Sequence, residues 1–74
     1  MNDNEFEKWD VIMFIDDDKK WVVQDVMDSH YALLELPMGD WPYPTPFAKG
    51  FCHWKSVKVG KWDNIMRREV DEQK

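Results

Sequence analysis

Residues 9–27, WDVIMFIDDDKKWVVQDVM, hold two apolar runs separated by five charged residues. The first run is rich in β-branched and aromatic side chains, which favour strands. The charged segment Asp16-Asp17-Asp18-Lys19-Lys20 resists burial and is typical of a turn. The second run begins at Trp21, and the polar pair Gln24-Asp25 interrupts it. The stretch therefore predicts two antiparallel strands joined by a hairpin turn.

The residues that follow extend this pattern. A third strand is predicted over residues 31–36, because six residues between a polar connection and Pro37 are too few for a stable helix. Residues 37–46 contain all four prolines and predict a long, stiff loop. The alternation of apolar and polar residues predicts a fourth strand over residues 51–59. Lys61-Trp62 could add a fifth strand, and Asp63 could cap a helical turn within residues 63–70.

The length of 74 residues predicts a single domain, because so short a chain cannot fill two cores. We expect residues 1–7 and 71–74 to fray. The expected fold is mainly β, either a small barrel or a strongly curled antiparallel sheet of four to five strands, with a short C-terminal helix. The candidates for the core are Trp9, Val11, Met13, Val23, Leu34 and Val57.

The sequence also resembles a known family. The segments that carry the resemblance are Lys8-Trp9-Asp10-Val11, the turn Asp16–Lys20, Trp21-Val22-Val23, residues 28–34 and Lys55-Ser56-Val57-Lys58-Val59. In pattern they are similar to the small SH3-like barrels of bacteria and their phages, over about residues 8–62. The resemblance implies a five-stranded barrel in which a loop with aromatic residues often forms the binding face. The chain lacks the glycine-rich first hairpin of the nucleic-acid-binding members and inserts the proline-rich loop.

Charge is distributed unevenly along the chain. The formal net charge is −5, but residues 1–48 carry −8 and residues 49–68 carry +5. The overall sign disfavours general attraction to phosphate backbones or anionic lipid surfaces. A single cysteine, Cys52, indicates a reducing, cytoplasmic setting, and the N-terminal residues lack the apolar run of a secretory signal. We expect no membrane segment, and a monomer or small homo-oligomer.

The proline-rich loop is the first candidate for a binding surface. The segment Trp41–Phe47 holds three aromatic residues among or directly after rigid prolines, and such rings are frequent at interface hot spots. The alternative is that the loop folds over an open barrel end as a lid. Acidic side chains in the first turn would steer a basic partner. The residues predicted to contact a protein partner are Trp41, Tyr43, Phe47, Asp16, Asp17 and Asp18.

The expected function is that of a non-catalytic protein-interaction module, and we expect a small phage or mobile-element protein that binds and modulates a host protein. Residues 49–68 support an alternative, because they mix basic and aromatic side chains as nucleic-acid-binding segments do. The residues of that alternative are Lys49, Lys55, Lys58, Lys61, Trp54, Trp62, Arg67 and Arg68. An enzyme with an active site shared between subunits is a third and more remote possibility.

The sequence contains no motif typical of a metal or catalytic site. His30, Cys52 and His53 match no zinc-ligand spacing. Asp16-Asp17-Asp18 lacks the alternation, central glycine and terminal glutamate of a calcium-binding loop. A cysteine nucleophile would need a base and a pocket, and nothing in the sequence supplies the pocket. We therefore expect no metal and no cofactor.

Overall fold

The computed structural model describes residues 5–39 and 42–70, which form six strands and one helix. The elements in chain order are β1 (Asp10–Phe14), β2 (Lys20–Val26), β3 (His30–Glu35), β4 (Thr45–Ala48), α1 (Lys49–Lys55), β5 (Ser56–Asp63) and β6 (Arg68–Val70). The strands form one antiparallel sheet in the order β4-β3-β2-β1-β5-β6. The expected class, mainly β with a short helix, is confirmed.

The first three strands form where the sequence places them. The turn between β1 and β2 closes through hydrogen bonds from Phe14 N to Lys19 O and from Asp18 N to Phe14 O. The resulting register sets Ile12 opposite Trp21. Trp21 in turn lies opposite Glu35 of β3. Short polar connections therefore produce the predicted antiparallel meander.

The helix α1 shows that the sheet is strongly curled. It joins β4 to β5 directly and contacts both strands. These strands are separated by three others in the sheet order, which in a flat sheet would place them about 19 Å apart. A seven-residue helix spans only about 10 Å. The sheet must therefore bend until its β4 edge approaches β5, and α1 closes the gap.

The core occupies both faces of the central strands. One cluster, core cluster 1, contains the buried residues Ile12, Phe14, Val23, Tyr31, Leu33 and Cys52. The other, core cluster 2, contains the buried residues Val11, Val22 and Leu34. Adjacent strand residues point to opposite faces, so neighbours such as Val11 and Ile12 enter different clusters. Both faces of this sheet thus contribute to folding.

The predicted core is correct in part. Val11, Val23 and Leu34 are buried, and Trp9 and Met13 are half-buried. The prediction for Val57 is wrong, because its side chain is exposed. At the end of α1, Ser56 points inward and its hydroxyl donates a hydrogen bond to Cys52 O. The next residue of the strand therefore points outward.

The second half of the chain differs from the prediction in several places. Residues 51–55, expected to begin a strand, belong to α1, and the strand begins at Ser56. The end of the proline-rich loop forms β4, where Pro46 is tolerated because β4 lies at the sheet edge.

The expected C-terminal helix is also misplaced. Asp63 Oδ1 accepts hydrogen bonds from Ile65 N and Met66 N, as a capping residue does, but the turn reverses the chain. Residues 68–70 then form β6 against β5. Residues 5–7, expected to fray, include Phe6, whose half-buried ring packs against core cluster 1. The predictions for residues 1–4 and 71–74 lie outside the described residues.

Candidate protein-interaction surface

An open cavity of about 240 Å³ lies between the β1–β2 turn, β4 and α1. We call it the aromatic groove. Its lining residues are Phe14, Asp16, Asp17, Trp21, Phe47, Phe51 and Lys55. Three of the residues predicted to bind a partner, Asp16, Asp17 and Phe47, meet here. The curl of the sheet brings them together from positions 30 residues apart in the sequence.

Four aromatic rings form the floor of the groove. The Phe47 ring lies 5.1 Å from that of Trp21, edge to face, and 5.5 Å from that of Phe14. It also stacks on the Phe51 ring, with 6.4 Å between centroids. Such distances are typical of stabilising aromatic pairs. Phe14 is buried, whereas Phe51 is 43% exposed. The floor is therefore anchored in core cluster 1 and open to solvent at Phe51.

The acidic turn forms one rim of the groove. Asp16 Oδ2 lies 3.4 Å from Lys55 Nζ, so an ion pair joins the turn to α1. Asp17 Oδ1 accepts a hydrogen bond from Lys19 N at 3.0 Å, which orders the turn. Asp18, in the left-handed region with φ 60°, completes the turn beyond the groove lining. Lys55 neutralises part of the negative charge of this turn, and the remaining carboxylates keep the rim acidic.

A second cavity of about 290 Å³ adjoins the first, because Trp21 lines both. Its other lining residues are Glu35, Leu36, Pro37, Gly39, Pro42, Tyr43 and Thr45. Tyr43 is 83% exposed, so this ring does not act as a buried lid. Trp41, the remaining predicted contact residue, lies outside the described residues. The aromatic surface thus runs from Phe51 across Trp21 to Tyr43.

The lysines of the nucleic-acid alternative are each engaged by a carboxylate. Lys49 Nζ lies 2.8 Å from Glu5 Oε2, and this contact lowers the pKa of Glu5 below its usual value. Lys61 Nζ lies 3.0 Å from Asp10 Oδ1, although without the angle of a hydrogen bond. Lys58 Nζ lies 3.5 Å from the same oxygen. With Asp16 bound to Lys55, acidic residues reach all four lysines.

The aromatic residues of that alternative lie apart from one another. Trp54 is 74% exposed on α1, and Lys55 Nζ lies 4.5 Å from its ring centroid. Trp62 is half-buried beside core cluster 2. Arg67 and Arg68 are exposed on the β5–β6 hairpin, where they line a different cavity. The basic segment does not form one continuous surface of the kind that tracks a nucleic-acid strand.

Cys52 is buried in the core, and the two histidines form hydrogen bonds with neighbouring side chains. Cys52 is fully buried, and its burial raises the pKa of the thiol to about 11. His53 Nε2 lies 2.7 Å from the Tyr31 hydroxyl, which also accepts a hydrogen bond from Phe6 N. His30 Nδ1 pairs with the hydroxyl of Ser29. Within residues 5–39 and 42–70, no group of three His, Cys, Asp or Glu side chains is placed to hold a metal ion.

Sequence reasoning missed Phe14, Trp21 and Phe51 as groove residues. Phe51 and Lys55 are four residues apart and share a helix face, but residues 51–55 were assigned to a strand. Trp21 was assigned to a strand without a binding role. Helical spacing between Phe51 and Lys55 was the available signal for the α1 side of the groove.

Comparisons with family models, with curated proteins and with solved structures found no match to this chain. Among the described segments, the structure contains no helix with the length and apolar character needed to cross a membrane. The functional assignment therefore depends on the residues of this chain alone.

Proposed function

We propose that this chain is a non-catalytic protein-interaction module that binds its partner in the aromatic groove. The observation that carries the proposal is a half-exposed Phe51 ring on an aromatic floor, next to the carboxylates of Asp16 and Asp17. Apolar rings supply contact area, and acidic rims attract basic partners. The partner therefore presents apolar side chains together with at least one basic side chain.

The adjoining cavity extends this surface. Because Trp21 lines both cavities, one extended segment of a partner can contact Phe51, Trp21 and Tyr43 in succession. The exposed Tyr43 ring lies between Pro42 and Pro44, whose fixed backbone lowers the entropic cost of binding. Specificity would come from the order of apolar and basic side chains along that segment.

A non-catalytic role agrees with the state of the thiol. Nucleophilic cysteines are accessible and have a lowered pKa. Cys52 is fully buried, and its pKa is raised. A role as a cytoplasmic phage or mobile-element protein that modulates a host protein, as monomer or small homo-oligomer, remains part of this proposal. The SH3-like resemblance supports it by analogy only.

The nucleic-acid alternative has one favourable observation, the exposed Trp54 ring with Lys55 above it. The carboxylates beside Lys49, Lys58 and Lys61 weigh against it, since each would compete with phosphate for the ammonium group. A gel-shift series with a labelled 20-nucleotide single strand, from low to physiological salt, separates the two functions. Our proposal expects no shift at any salt concentration. A shift that weakens with salt and with Trp54→Ala would favour the alternative.

Selection from a random peptide display library tests the proposal directly. The purified chain is the bait, and peptides are selected on it without counter-selection against a groove variant. We expect enriched peptides that combine basic and apolar residues and that lose at least about tenfold in affinity against Phe51→Ala. The matched control is Ile65→Ala, because Ile65 is 90% exposed on the β5–β6 hairpin. Peptides that bind native protein and Phe51→Ala equally well would contradict the proposed surface.

A further inference from the structure

A cavity of about 370 Å³ lies between the end of β3 and the β5–β6 hairpin. Its lining residues are Leu36, Pro37, Met38, Trp62, Arg67, Arg68 and Glu69. Arg67 and Arg68 are the only arginines in the sequence, although it contains eight lysines. Both arginines therefore line one cavity, and this cavity shares no lining residue with the aromatic groove.

The floor of this cavity is apolar. Leu36, Met38 and Trp62 pack against core cluster 2, which fixes their positions. The indole Nε1 of Trp62 is shielded from solvent and has no hydrogen-bond acceptor among the described residues. An apolar or aromatic group of a ligand would find contact area here.

The electrostatics of the cavity favour an anion. Its acidic lining residue, Glu69, is engaged elsewhere, because Glu69 Oε1 lies 3.1 Å from Lys20 Nζ. Two of the three charged lining residues are therefore arginines, and Asp63 lies opposite Arg68 across the hairpin. A guanidinium offers several donors in a planar fork that fits carboxylate or phosphate oxygens, which an ammonium group does not.

The backbone of the hairpin holds the first arginine in an uncommon conformation. Arg67 has φ 56°, in the left-handed region that residues other than glycine rarely adopt. The turn that imposes it closes through Arg67 N, which donates to Asp63 O at 2.7 Å. Asp63 Oδ1 fixes the same turn by accepting from Ile65 N and Met66 N. Residues in such uncommon backbone conformations persist where the surrounding structure holds them in place, and they are frequent at binding sites.

We infer that this cavity binds a small organic anion, in which a carboxylate or phosphate group is attached to an apolar body. Arg67 and Arg68 bind the anionic group, and Trp62, Met38 and Leu36 contact the apolar body. The volume is sufficient for such a ligand, since small-molecule sites begin at about 300 Å³. This cavity shares Leu36 and Pro37 with the second cavity of the proposed protein-binding surface, and it shares no residue with the aromatic groove.

Titration of the ¹⁵N-labelled chain, followed by NMR, tests the inference with four probes. They are 4-phenylbutyrate, phenyl phosphate, 4-phenyl-1-butanol and inorganic phosphate. We expect one or both organic anions to shift the Arg67–Glu69 amides and the Trp62 indole N–H, with a Kd at least about tenfold below those of the alcohol and inorganic phosphate. The two organic anions distinguish a carboxylate site from a phosphate site. Equal binding of the alcohol, or of inorganic phosphate, would overturn the inference, as would the absence of binding by both organic anions.

Variants identify the groups responsible. Arg67→Gln and Arg68→Gln each should weaken binding of the preferred anion by at least about fivefold, because each removes a charged donor. Both side chains are exposed, so the fold should persist, and the dispersion of the amide spectrum checks it. Lys49→Gln removes an equal charge on α1 and should leave binding unchanged. Equal losses in all three variants would indicate a general charge effect and contradict the assigned site.

Discussion

The ring of Trp21 on β2 meets the ring of Phe47 on β4 edge to face, with 5.1 Å between their centroids. The two strands are not neighbours, because β3 lies between them. The contact therefore holds the edge strand β4 against the face of the sheet on which core cluster 1 lies. The same two rings form the floor of the aromatic groove, so folding and the proposed binding share these side chains.

Replacement of Phe47 should separate this structural role from that of Phe51. Phe47 is half-buried and contacts Phe14, Trp21 and Phe51. Phe47→Ala should lower the free energy of unfolding by about 2–3 kcal/mol, somewhat below the range for fully buried phenylalanines. Phe51→Ala should cost about 1 kcal/mol or less, because that ring is 43% exposed. Urea denaturation followed by tryptophan fluorescence measures both. Equal losses for the two variants would mean that Phe51 is as structural as Phe47.

Replacement of Tyr43 should affect binding but not stability. The ring is 83% exposed, so Tyr43→Ala should change the free energy of unfolding by no more than about 0.5 kcal/mol. Affinity for peptides selected on the native chain should fall by about threefold or more. Isothermal calorimetry and thermal melting give the two values. A large drop in melting temperature for Tyr43→Ala would favour a lid role for the loop.

The sequence was sufficient to predict the first half of the fold. Residues 9–36 contain apolar runs, a charged turn and a short polar connection, and these local signals agree with the pairing that forms. The helix α1 is different, because its seven residues would not be stable alone. It forms where the chain must cross from β4 to β5 over the curled sheet. That requirement is set by tertiary structure, and its local signal is limited to the helical spacing of Phe51 and Lys55.

The candidate surface was predictable to a similar extent. The sequence indicates Asp16 and Asp17 because they belong to a charged turn. It indicates Phe47 because this aromatic residue directly follows the prolines. Their proximity could not be predicted, since it depends on the position of β4 beside β3 and on the curl of the sheet. The same holds for β6, whose pairing of Lys61 with Val70 requires the turn at Asp63 to reverse the chain.

The buried thiol predicts a loss of stability at alkaline pH. The pKa of Cys52 is about 11 in the folded chain, whereas an unfolded cysteine titrates near about 8.5. Between these two pKa values the folded state retains the thiol proton, whereas the unfolded state releases it. The contribution of Cys52 to the free energy of unfolding is therefore complete below about pH 8.5, and it is lost as the pH rises towards 11. Urea denaturation between pH 8 and 10.5 should show a steeper decline for the native chain than for Cys52→Ala. Parallel declines in the two proteins would contradict the assignment.

Replacement of glycine by alanine should lower the free energy of unfolding at Gly60 and raise it at Gly50. A Cβ on the buried Gly60 would lie 2.9 Å from Val70 O and 3.1 Å from Glu69 Oε2, so Gly60→Ala forces β6 away from β5. We expect a loss of about 1–3 kcal/mol in the free energy of unfolding. Gly50, in α1, has no neighbour within 4 Å of that position, and Gly50→Ala should add about 0.5–1 kcal/mol through helix propensity. Urea denaturation measures both variants, and amide exchange in residues 68–70 should increase only in Gly60→Ala. An unchanged free energy of unfolding in Gly60→Ala would mean that β6 can move away from β5 without loss of stability. The contact between the two strands would then contribute little to the fold.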